Sequence, residues 1–97
     1  MKRESEFQHA LIKAIRDRWP TAIVMKNDSG YIQGIPDLTI LYHDRWAMLE
    51  CKRSRNEAHQ NNQDYFVTML NGMSFARFVY PENVEDVLDD LESHFSA

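Results

Sequence analysis

Gly34-Ile35-Pro36-Asp37, Leu38-Thr39-Ile40-Leu41-Tyr42, His43-Asp44 and Arg45-Trp46-Ala47-Met48-Leu49-Glu50-Cys51-Lys52 make up the stretch that decides the fold. Two runs rich in β-branched, aromatic and other apolar residues flank a two-residue turn. Paired as a hairpin centred on His43-Asp44, Tyr42 opposes Arg45, Ile40 opposes Ala47, and Leu38 opposes Leu49. Asp37 then falls opposite Glu50. Directly opposed residues share a face, with β-carbons about 4.5–5.5 Å apart. The pleat returns Lys52 to the face of Glu50 and turns Cys51 into the other layer. One face of one sheet therefore collects an Asp, a Glu and a Lys. Along that face Thr39, Leu41, Met48 and Trp46 grow less polar with distance from Asp37.

Two carboxylates opposed at this spacing repel, which costs stability unless a proton or a cation sits between them. A divalent metal with oxygen ligands suits the position. It would polarise a phosphoryl oxygen and acidify a bound water. Lys52 would orient that water or stabilise charge building on the phosphate. Together these are the parts of phosphodiester hydrolysis. The other use of the same residues is a solvated ion cluster at a hairpin end. A bulge would slip the register by one residue and separate them.

Working outward, both strands carry apolar residues on both faces, so helices or a partner subunit must cover both sides. Residues 4–18 have Phe7, Ala10, Leu11, Ala14 and Ile15 at helical spacing, and Trp19-Pro20 ends that helix. Thr21 to Lys26 reads as a strand, and Asn27-Asp28-Ser29-Gly30 as a turn or loop. Ser54 and Glu57 have capping-box spacing, which predicts a helix from there to about Asn71. Gly72 would close it, and His59, Gln63, Phe66 and Leu70 would face inward. Ser74 to Tyr80 is a fourth strand. Pro81 suits the first turn of a last helix, with Glu82, Glu85 and Asp86 at its positive end. Val84, Val87, Leu88, Leu91 and Phe95 form its buried face. The expected fold is α/β in the order αβββαβα: a small mixed four-stranded sheet flanked by helices, one domain over residues 1–97.

Composition narrows the function classes. One cysteine, Cys51, rules out a disulfide framework, and Cys and His are too scattered for a zinc cluster. No apolar run is long enough for a membrane span, and Met1 to Glu6 is too charged for a signal peptide, so the chain reads as cytoplasmic. The net charge of −4 divides unevenly, +3 over residues 1–55 and −7 over 56–97. A polyanion would meet the first half and avoid the last helix.

Gly34-Ile35-Pro36-Asp37-Leu38, Leu49-Glu50-Cys51-Lys52 and the later Gln63 resemble the virus-type replication-repair nuclease (VRR-NUC) family of the PD-(D/E)xK nuclease superfamily. The order of elements is also similar, and the resemblance covers nearly the whole chain. It implies a restriction-endonuclease-like core and a Mg²⁺- or Mn²⁺-dependent DNA endonuclease. Asp37 and Glu50 would ligate the metal, with the backbone carbonyl of Cys51 as a further ligand. Lys52 would assist the attacking water, and Gln63 would support the site or a phosphate. Glu6 would be the N-terminal acidic residue, although it lies roughly 100° from the centre of the apolar stripe. Glu4 lies closer to that centre, in a turn where helices fray. Small stand-alone members resemble homodimeric junction-resolving nucleases acting on branched DNA such as Holliday junctions, in DNA repair in a bacterial or phage-infected cell. Candidate DNA contacts are Lys26, Asn27 and Ser29 before the site, and Arg53, Ser54 and Arg55 after it. The alternative is a non-catalytic module of the same fold that holds branched DNA or a replication partner.

Overall fold

The computed structural model describes residues 3–97, so Met1 and Lys2 of the charged N-terminal stretch lie outside it. The elements are α1 (Glu4–Arg18), β1 (Ile23–Lys26), β2 (Leu38–Tyr42), β3 (Arg45–Cys51), α2 (Gln63–Met73), β4 (Ala76–Val79) and α3 (Val84–Ser96). They form one sheet in the order β1-β2-β3-β4. The first two pairings are antiparallel, and β3 with β4 is parallel. The layout is the expected αβββαβα.

The hairpin keeps the even register that the two-residue turn requires. Tyr42 pairs with Arg45, Ile40 with Ala47, and Leu38 with Leu49. His43 takes the left-handed conformation (φ 56°) that tightens the turn. On one face Leu38, Ile40, Ala47, Leu49 and Cys51 are buried beneath Phe7, Leu11 and Ile15 of α1 and Val87, Leu88, Leu91 and Phe95 of α3. On the other face Trp46 and Met48 pack against Val67 and Leu70 of α2. Cys51 thus points into the layer opposite the carboxylates, and burial pushes its thiol well above the ordinary range. Arg18 ties α1 to α3 through Glu85, Asp89 and Glu92.

Three boundaries differ from expectation, and each has a local cause. The helix expected from Ser54 begins only at Gln63. Glu57 does reach back, but its Oε1 accepts the Arg53 N–H at 2.5 Å and closes a single turn. The carbonyl of Ala58 then turns away to accept from Lys52 Nζ, so it is lost to a helical ladder. Asn62 turns left-handed (φ 70°) immediately before α2. His59 therefore lies outside the helix, stacked on Phe78 with centroids 4.0 Å apart. Gly72 lies within α2 instead of after it, and Ser74 caps the end. Pro81 precedes α3, because Asn83 holds the chain in a turn by bonding the Tyr80 N–H and the Phe78 carbonyl.

Candidate metal centre

Beyond the last ladder pair, Asp37 continues toward Glu50 and bonds the strand end. Its Oδ2 accepts the Cys51 N–H at 2.8 Å, and its carbonyl accepts the Asn27 N–H at 2.7 Å. The Asp37 side chain is therefore fixed by the backbone it caps. Glu50 is 3 % exposed. Its Oε2 accepts from Gln63 Nε2 at 3.0 Å, and its Oε1 is buried with no hydrogen-bond partner. An unpartnered buried carboxylate oxygen is costly. Burial first, and the nearby Asp37 second, push the Glu50 carboxyl up to about 8.

The third carboxylate is Glu4. Oxygens of Glu4, Asp37 and Glu50 lie within 4.8 Å of one another. Glu4 sits on the same helical face as Phe7 and Leu11, which the core pins in place. Glu6 is turned off that face; it is exposed and pairs with Arg3 at 3.0 Å. The structure thus brings Glu4 to the site in place of Glu6. Partial burial, and after it the nearby Asp37, raise the Glu4 carboxyl.

Lys52 is as buried as Glu50, at 3 % exposure. Its ammonium meets neutral oxygens, Gln63 Oε1 at 2.6 Å and the Ala58 carbonyl at 3.1 Å. Among the described residues it forms no ion pair. This is not the solvated cluster in which two carboxylates share a lysine. Gln63 joins the two groups, donating to Glu50 and accepting from Lys52 and from the Gln60 N–H at 2.8 Å. These residues open on a cleft of about 410 Å³, which Ser29, Gln33, Gly34, Glu57 and Asn61 also line.

The cleft wall depends on glycine at one position. Gly34 has φ +91°, and a β-carbon there would stand 2.5 Å from Asn62 Cβ and 2.8 Å from its carbonyl carbon. The loop before the Asp37 strand therefore presses directly on the backbone that leads into Gln63. Gly34→Ala is expected to lower stability by about 1–3 kcal/mol. It should also reduce whatever activity depends on Gln63. Denaturant unfolding checks the first effect; an unchanged midpoint would contradict it.

The DNA contacts expected from sequence are divided, with Ser29 and Arg53 at the cleft and the others beside it or bonded elsewhere. Ser29 lines it. Asn27 is structural: its Nδ2 donates to the Pro36 carbonyl at 2.9 Å and its Oδ1 accepts from Thr39 at 3.0 Å. Lys26 faces a groove between α1 and β1. Arg53 pairs with Glu57 at 3.6 Å. Arg53 and Ser54 line a separate cavity of about 560 Å³ with Phe7, Leu11 and Val84. Arg55 lies over the Tyr80 ring at 5.7 Å. The sequence signals for Glu57, Gln60 and Asn61 were hidden because that segment reads as helix.

Neither a family model, nor a curated protein, nor a solved structure matches the chain. What the fold and cleft define is an α/β protein with three converging carboxylates and a buried, carboxylate-free lysine. No helix among the described residues is long and apolar enough to cross a membrane.

Proposed function

We propose that this protein is a Mg²⁺- or Mn²⁺-dependent DNA endonuclease of the VRR-NUC type. The observation that carries the reading is the buried Glu50 Oε1, which has no partner and stands beside the carboxylates of Asp37 and Glu4. Hard oxygen donors in such a set fit a hard divalent cation. Asp37, Glu50 and Glu4 would hold the ion, with the Cys51 carbonyl as a further donor. Such an ion supplies Lewis-acid polarisation of a phosphoryl oxygen and lowers the pKa of water.

The chain's own residues supply positioning. Asp37 is held by the Cys51 N–H, so its free oxygen keeps a fixed direction. Gln63 fixes Glu50 and Lys52 relative to one another. Lys52 is not neutralised by a carboxylate, so its charge is available to a phosphate or to the negative charge that grows during phosphodiester cleavage. The described residues form one such carboxylate group, so paired nicks in branched DNA would take two copies.

The test is a Mg²⁺ and Mn²⁺ titration with four-way junction, flap and duplex DNA. Hydrolysis that appears with metal and stops on chelation is expected. Junction binding without hydrolysis under either metal would point instead to a non-catalytic branched-DNA module.

A further inference from the structure

Strand β1 is an edge of the sheet, paired on one side only, with β2. The Asn27 N–H donates to the Asp37 carbonyl at 2.7 Å, which fixes the phase of that ladder. Counting back by two, Met25 and Ile23 turn their N–H and C=O groups toward Thr39 and Leu41 of β2. Val24 and Lys26 therefore turn theirs away from the sheet, and no other backbone group among the described residues meets them. An open row of alternating donors and acceptors is a template for a further strand.

The side chains along that edge carry charge. Val24 pairs with Ile40, so it and Lys26 face the layer of α1. Between α1 and β1 lies a groove of about 520 Å³. Ile12 and Val24 give it an apolar floor. Lys13, Arg16 and Lys26 stand around it with one carboxylate, Asp17, which Lys13 already holds at 3.0 Å. Arg16 and Lys26 are exposed and have no ion pair among the described residues. On the other face of β1, Ile23 and Met25 are exposed. A phosphate backbone would answer the cations, but it accepts hydrogen bonds and does not donate them. It would leave the two outward carbonyls unpaired and set a charged chain on an apolar floor. A second copy's β1 would bring these same cations against one another. An extended acidic peptide meets every feature. Its backbone pairs with Val24 and Lys26, one apolar side chain covers Ile12 and Val24, and acidic side chains two residues to either side reach Arg16 and Lys26. The intervening side chains lie beside Ile23 and Met25.

We infer that β1 accepts an extended acidic segment of a partner protein as a fifth strand, with the pattern acidic-x-apolar-x-acidic facing the α1 groove. The inference goes beyond the nuclease reading, and its test needs neither metal nor DNA cleavage. The probe is a fluorescein-labelled, terminally blocked peptide, Ser-Glu-Ile-Val-Thr-Glu-Ser, titrated with the full chain and followed by anisotropy. Saturable binding is expected below about 1 mM. Arg16→Glu, on the exposed side of α1, should melt like the wild type and bind the peptide at least about tenfold more weakly. The same peptide with lysine for glutamate should not bind. N-methylation of one set of alternate peptide residues should abolish binding, and methylation of the other set should leave it, because only one set turns its N–H groups to β1. No binding up to about 1 mM, equal binding of the lysine peptide, or indifference to both methylation patterns would overturn the inference. So would a groove that takes duplex DNA, with Arg16→Glu weakening that binding, while the acidic peptide stays free. A peptide that binds as described to a chain that cleaves no DNA would count against the nuclease reading alone.

Discussion

Lys52→Met is expected to slow DNA cleavage by about 10²–10³-fold, the usual loss when one preorganised donor to a developing negative charge is removed. Methionine keeps much of the buried stem and removes only the ammonium. Gln63 Oε1 keeps its bond from the Gln60 N–H, while the Ala58 carbonyl loses its donor, so a melt of the variant accompanies the rate measurement. The Lys52 charge also helps hold the Glu50 carboxyl down against burial and Asp37. Its loss will therefore favour protonated Glu50 and weaken metal binding near neutral pH. That part of the defect should disappear at high pH with saturating metal; the loss in kcat should remain. Single-turnover cleavage across a pH series separates the two. Recovery of the full wild-type rate at high pH would mean that Lys52 acts only through Glu50.

The hairpin was legible in the sequence because a two-residue turn and a period of two leave one register in which the apolar faces agree. That register alone predicts Asp37 opposite Glu50 and sends Cys51 to the other layer; the ladder ends at Leu38–Leu49, and just beyond it the two carboxylates converge while Cys51 is buried on the opposite face. Helices α1 and α3 were legible for the same reason, since long apolar stripes tolerate few alternatives. The segment from 53 to 62 was not. Its capping-box spacing is satisfied by one turn, after which Lys52 takes the Ala58 carbonyl. A buried ammonium needs oxygens, and meeting that need outweighed the weak local preference for helix.

The identity of the third carboxylate turned on a difference of two residues in α1. The resemblance favoured Glu6, whereas the helical wheel put Glu4 nearer the core face, and packing of Phe7 and Leu11 decides for Glu4. Expected DNA contacts are less legible for a general reason. Basic and polar residues near a site in sequence have many local partners, and Asn27, Arg53 and Arg55 each found one. Nothing in their residue types distinguishes a phosphate contact from a loop clasp.

Glu50→Gln is expected to stabilise the metal-free protein at about pH 8 while abolishing its response to Mg²⁺ or Mn²⁺. In the folded protein the Glu50 carboxyl titrates at about 8, above its ordinary 4.5. Between those values the folded state holds a proton that the unfolded chain has released, so metal-free stability falls as pH rises through that window. Glutamine is neutral throughout and removes that slope. Wild type and variant should therefore melt alike near pH 5 and separate by pH 8, the variant higher; each kcal/mol corresponds to about 4–8 °C for a domain of this size. A divalent cation competes with the same proton, so it should raise the wild-type melting temperature more at pH 8 than at pH 6 and leave the variant unmoved. Thermal melts with EDTA and with each metal at these pH values make the measurement. A solvated carboxylate cluster behaves otherwise: Glu50 would titrate near its ordinary value, the substitution would have the same effect at both ends of the window, and added salt would mimic the metal. The buried, unpartnered Oε1 opposes that outcome, since an oxygen already in water has no pH-dependent cost for a cation to relieve.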